Sequence, residues 1–100
     1  MSNTEVIVPF EEEIEASLKN LPGWTIIDGP KLQKRFEFKN FVEAFGFMTK
    51  VALVAEAMDH HPEWTNVYSV VTISLYKHDE CAITHKDIEL AMRINQVLEQ

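Results

Sequence analysis

The chain of 100 residues holds one cysteine, Cys81, so no disulfide can form within it. Its three glycines, Gly23, Gly29 and Gly46, are too few and too scattered for a glycine-rich phosphate loop. Basic residues are scarce: nine Lys and Arg stand against sixteen Asp and Glu, for a formal net charge of -7 and a pI near 5.0. Phosphate-binding surfaces need clustered Lys and Arg, so nucleic acid and anionic membrane are excluded as expected partners. No apolar run approaches the roughly 18 residues of a transmembrane helix. The N-terminal stretch is polar and acidic through Glu13 and lacks the basic-then-apolar plan of a signal peptide. HExxH and paired-cysteine metal patterns, nucleophile signatures, repeats and low-complexity segments are all missing. The expectation is a single cytoplasmic domain spanning residues 1–100, without metal.

With 46% hydrophobic and 25% charged residues, the chain has enough apolar content for a core. That core is small enough to favour oligomerisation. Phe10, Ile14, Leu18 and Leu21 recur at helical spacing behind Pro9 and end before Pro22-Gly23. Residues 24–27 and 32–38 read as two strands joined by Asp28-Gly29-Pro30, a hairpin. Phe41, Phe45, Met48, Ala52 and Ala55 form a stripe that predicts a sheet-covering helix from about 41 to about 58. Further on, Val67, Val71, Ile73 and Leu75 alternate with Tyr68, Val70, Thr72, Ser74 and Tyr76, and the same parity places His78 on the polar face. A short strand near Trp64 and a turn within 66–69 could precede this strand; periodicity alone leaves that open. Thr84 with Asp87 resembles a capping box that opens a last helix to about residue 98. Its expected core face is Ile88, Ala91 and Met92, which leaves Leu90, Ile94 and Val97 for a partner subunit or for water.

Between the long helix and the last strand lie His60, His61, Pro62 and Trp64, with His78 downstream. Imidazole titrates near neutrality, so gathered histidines can both donate and accept protons at cellular pH. Pro62 disfavours a helical His61, which ends the helix and leaves two adjacent imidazoles facing different ways. Glu56 and Asp59 are either a solvated helix end or carboxylates that set imidazole tautomers. Trp64 is a core anchor or an aromatic wall for a flat ligand. The histidines themselves stay open between solvated loop residues and an acid–base site. His85 and Asp79 add donors for a metal, but neighbouring extended histidines seldom chelate one ion. Composition and spacing reach a small α+β domain with a histidine acid–base site among its readings and no visible cofactor motif; they do not reach a substrate.

The ordered run Glu56, Ala57, Met58, Asp59, His60, His61, Pro62, Glu63, Trp64, then Asn66, Val67 and Tyr68, with His78 and Asp87 downstream, resembles the signature of the pterin-4a-carbinolamine dehydratases. The resemblance extends from Gly23-Trp24 through Phe45-Gly46-Phe47-Met48 to the last helix, about three-quarters of the chain. It implies an α+β fold, a four-stranded antiparallel sheet with helices packed on one face, assembled as a homodimer or homotetramer. It also implies loss of water from a 4a-hydroxytetrahydropterin to give the quinonoid dihydropterin during tetrahydrobiopterin recycling, with no cofactor besides the pterin substrate. By the same resemblance His60, His61 and His78 are the catalytic residues. Asp59, Tyr76, Lys77 and Asp79 match pterin-contacting positions, and Trp64 and Glu56 are second contributors. Tyr76 and Lys77 stand where small hydroxyl residues often precede the third histidine, and Ala82 stands where a glycine is common. The alternative function is a non-catalytic dimerisation module acting as a transcriptional cofactor through Leu90, Ile94 and Val97.

Overall fold

The computed structural model describes residues 11–99; Pro9 and Phe10, expected to open the first helix, lie outside them. In chain order the described residues form α1 (Glu11–Leu18), β1 (Thr25–Ile27), β2 (Lys31–Glu37), α2 (Phe41–Met58), β3 (Glu63–Val67), β4 (Val70–Leu75) and α3 (His85–Val97). The strands make one antiparallel sheet in the order β1-β2-β4-β3. Each strand carries one apolar face, and the helices cover that face: Leu32, Val71, Ile73 and Leu75 are at most 1% exposed. The other face, with Gln33, Arg35, Thr65 and Thr72, is polar.

The segment that periodicity left open resolves as a hairpin, with Glu63↔Ser74 and Val67↔Val70 pairing across a turn at residues 68 and 69. Tyr68 therefore sits in the turn, at φ 53°, rather than on the polar face of a strand. Trp64 pairs with Ile73 and packs against the core, which selects its anchor reading. At the other end of the sheet Trp24 meets Phe36 edge-on at 6.0 Å, and its indole donates to Asn95 Oδ1 at 3.1 Å. Gly23, at φ +86°, lies under the Lys34 stem, where a Cβ would come within 2.6 Å of Lys34 Cε.

Asn40 caps α2 by accepting the Glu43 N–H at 2.9 Å. The helix presents Ala44, Phe47, Val51 and Ala55 to the core, and Phe47 sits 4.8 Å from Phe36 and 4.9 Å from Phe38. Of the expected stripe only Ala55 is buried and Met48 half-buried; Phe41, Phe45 and Ala52 face outward with Val42 and Leu53. α2 is apolar nearly all round, so two stripes satisfy helical spacing, and small Ala44 and Ala55 let its inner face approach the sheet.

α3 corrects a second expectation. Leu90, Ala91 and Ile94 are fully buried and Val97 nearly so, while Met92 is 42% exposed and Ile88 only half-buried. Leu90, Ile94 and Val97 are thus core residues, unavailable to a partner. The rotation is set by Asp87, which is fully buried and begins the inward series 87, 90, 91, 94 at helical spacing. A charged first member hid that series from a reading based on apolar residues.

Candidate functional site

The site begins where α2 stops. The His60 N–H donates to the Ala55 carbonyl at 3.0 Å and the Asp59 N–H to the Glu56 carbonyl at 3.1 Å, the pair of bonds of a Schellman ending. Asp59 takes the left-handed conformation that this ending needs, at φ 53°, which aspartate tolerates better than a bulkier residue. The chain then leaves the helix ahead of Pro62, and the two imidazoles diverge, each finding a different carboxylate.

His60 turns inward. Its Nε2 is hydrogen-bonded to Asp87 Oδ1, and only 13% of its side chain is exposed. The second Asp87 oxygen, Oδ2, accepts the Thr84 N–H at 2.8 Å and the Thr84 hydroxyl at 3.0 Å. The fully buried carboxylate therefore both caps α3 and holds an imidazole. Because a carboxylate only accepts, Nε2 is the donor in this pair, which leaves Nδ1 as the second ring nitrogen of His60. His61 turns outward and bonds Glu56 Oε1 at 2.9 Å, with 57% of its side chain exposed.

His78 comes from the opposite wall, the turn that follows β4. This turn is closed by the Lys77 N–H donating to the Ala82 carbonyl at 2.7 Å and the Cys81 N–H to the Lys77 carbonyl at 2.8 Å. Positive φ falls on Cys81, at 50°, rather than on Ala82. The His78 ring stacks on Tyr76 at 4.5 Å with 30° between the planes. The Tyr76 hydroxyl donates to Glu63 Oε1 at 2.9 Å, and Lys31 Nζ lies 3.3 Å from both Glu63 oxygens. The hydroxyl bond, and secondly Lys31, hold the Glu63 carboxyl below the usual carboxylate range, while the same bond raises the Tyr76 phenol.

Asp59, His60, His61, Tyr76, Lys77, His78 and Asp79 together line an open cleft of about 310 Å³. Seven of the nine expected site residues thus meet in one place, from segments separated by a helix end and a hairpin. Glu56 reaches the cleft only through His61, and Trp64 does not line it. Asp87 was legible as a cap and as a member of the ordered run but not as the holder of His60; Glu63 stood in that run without a role, and Lys31 gave no signal. Among the described residues no group of three or more His, Cys, Asp or Glu side chains could hold a metal ion, and no helix is long and apolar enough to cross a membrane. The arrangement offers three imidazoles, two of them anchored by carboxylates, around a space sized for a small ligand.

A family model described as Pterin 4 alpha carbinolamine dehydratase matches residues 10–97. A Prochlorococcus marinus (strain MIT 9313) protein named "Putative pterin-4-alpha-carbinolamine dehydratase" is 55% identical over 84 residues, covering 84% of this chain and 86% of its own. An Afipia carboxidovorans protein of the same name is 51% identical over 88 residues, 87% of this chain and 88% of its own. The crystal structure of a transcriptional coactivator/pterin dehydratase from Brucella melitensis superposes with a TM-score of 0.86 at 41% identity, covering 91% of this chain and 98% of that one. A pterin dehydratase-like protein described as a RuBisCO assembly factor in the alpha-carboxysome shares the fold, with a TM-score of 0.65 at 21% identity over 78% of this chain and 92% of that one.

Proposed function

This chain belongs to the pterin-4-alpha-carbinolamine dehydratase family, and on that premise we propose that it removes water from a 4a-hydroxytetrahydropterin by histidine acid–base catalysis. The observation that carries the proposal is the convergence of His60, His61 and His78 on one cleft from two independent segments. The reaction breaks the C4a–O bond, takes a proton from the adjacent ring nitrogen and closes a carbon–nitrogen double bond, giving quinonoid dihydropterin and water. One group must protonate the departing hydroxyl and another must accept the nitrogen's proton. His60, anchored through Nε2, offers Nδ1 as the base, and the more exposed His61 and His78 supply the acid. Asp59, Lys77 and Asp79 present hydrogen-bonding groups to the polar edge of the ring system. The elimination is redox-neutral and its proton transfers are assigned to the imidazoles, so the proposal draws on no redox cofactor and no metal, and it places the protein in cytoplasmic tetrahydropterin recycling.

Homo-oligomerisation belongs to the same proposal, moved from α3 to the outward face of α2. Phe41, Val42, Phe45 and Leu53 are 51–77% exposed there, an apolar surface that a second copy of the chain would cover. A non-catalytic role in transcription draws support from the coactivator name of the Brucella neighbour, but it leaves the histidine cleft without a purpose.

The test is the rate of loss of 4a-hydroxytetrahydropterin absorbance with wild type and with His60→Ala, His61→Ala and His78→Ala. At least one variant should lose on the order of 10²–10⁴-fold in kcat. Three rates equal to wild type would contradict the mechanism.

A further inference from the structure

We infer that Tyr76 is a positioning residue for His78, its ring stacked on the imidazole and its hydroxyl tied across the sheet to Glu63 and Lys31. The inference rests on the dehydratase reading and names what that reading leaves without a role.

The sheet register assembles the group. Leu32 pairs with Leu75 and Glu63 with Ser74, so continuing β4 by one residue brings Tyr76 beside Lys31 of β2 and near Glu63 of β3. These three side chains share the open face at one end of three adjacent strands, one step beyond the Gln33 amide bond to Ser74 Oγ at 3.0 Å. Tyr76 donates its only hydroxyl proton to Glu63, and Lys31 holds the carboxylate in turn while lying 4.7 Å from the Tyr76 ring centroid. The depressed Glu63 carboxyl and the raised Tyr76 phenol both keep this bond intact across neutral pH.

Consider what the cleft receives from each residue. His60 and His61 are oriented by carboxylates, Asp87 and Glu56. His78 sits in a solvent-facing turn, and what orients it is the Tyr76 ring at 4.5 Å. A phenol whose proton is engaged by Glu63 has none left for a substrate, so Tyr76 contributes a fixed plane rather than a donor. That plane would otherwise swing with its side chain; the Glu63–Lys31 pair prevents it. The imidazole of His78 thereby inherits its direction from the rigid sheet, which matters because small misplacements of a catalytic group are costly.

The experiment compares wild type, Tyr76→Phe and Tyr76→Leu in two ways: kcat and KM in the 4a-hydroxytetrahydropterin assay, and ring-current shifts of the His78 ring protons in the free protein by NMR. Tyr76→Leu should lose the ring-current shift and fall on the order of 10-fold to 10²-fold in kcat with little change in KM. Tyr76→Phe, which keeps the stack and loses the Glu63 bond, should retain most of the shift and fall in between. Sheet amide shifts like those of wild type report that both variants fold. A Tyr76→Leu enzyme that loses the stack but keeps the wild-type kcat overturns the inference, and so does one whose KM rises at constant kcat, the mark of a direct substrate contact. A wild type that does not accelerate dehydration fails in a different reading: it removes the dehydratase proposal, and this inference with it, whatever the NMR shows.

Discussion

Replacing Asp87 separates two jobs that one buried carboxylate performs. Oδ2 accepts two bonds from Thr84 and Oδ1 meets His60, in surroundings where Thr84 and Asp87 are both fully buried. Asp87→Ala removes both acceptor oxygens, and with them all three bonds. It strands the buried Thr84 N–H, which is the capping-box bond, at about 1–3 kcal/mol for an unsatisfied donor. With the His60 bond also lost, a destabilisation of roughly 3–5 kcal/mol is expected, readable as a lower urea midpoint. Asp87→Asn is the informative variant. Its amide oxygen can still accept from Thr84, and its NH₂ then faces His60 Nε2, which must become an acceptor. The His60 proton moves to Nδ1, and the lone pair proposed as the base is gone. Asp87→Asn should therefore fold with a loss of roughly 1–2 kcal/mol, while kcat drops on the order of 10²-fold or more. Dehydration kinetics and urea unfolding on the same preparation make the comparison. A stable Asp87→Asn protein with the wild-type kcat would refute the link between the α3 cap and His60.

The rotation of α3 is testable by stability alone: Ile94→Ala should cost about 2–5 kcal/mol as a buried truncation, whereas Met92→Ala, on the exposed side, should stay within about 0.5 kcal/mol in urea titrations. Equal small effects at both positions would restore the opposite face. Glu63 supplies a pH prediction. Its folded carboxyl lies below the ordinary glutamate value, so its contribution to stability is fully present above that ordinary value and is lost as pH falls through the lower, folded one. The stability gap between wild type and Glu63→Gln should accordingly be present at neutral pH and close in acid; a gap that widens on acidification would contradict the Tyr76–Glu63–Lys31 arrangement.

The first hairpin, the last strand and the span of α2 were legible because they rest on local signals: alternation and the breakers Pro22-Gly23, Asp28-Gly29-Pro30 and Pro62. The facing of the helices was not. α2 carries two apolar stripes, and only packing against the sheet chooses between Ala44-Phe47-Val51 and Phe41-Phe45. In α3 a buried Asp87 leads the inward face, and pattern reading assigns such a residue to water. The same limit shaped the site. His60, His61, His78 and their loop neighbours could be named from the ordered signature, and they do line one cleft. The supports behind them depend on register: Glu63 and Lys31 reach Tyr76 only because β3 and β2 flank β4. Trp64 shows the converse, since strand parity turns it toward Ile73 and the core rather than toward a ligand.

The most direct test of the account is an NMR titration of the wild-type protein with a stable dihydropterin, read as chemical-shift changes along the whole chain. The account predicts saturable changes concentrated at residues 59–61 and 76–79, with the imidazole signals of His60, His61 and His78 moving together. Changes centred instead on the groove of Asn20, Lys34, Met92 and Asn95, or no saturable change at any concentration, would contradict it.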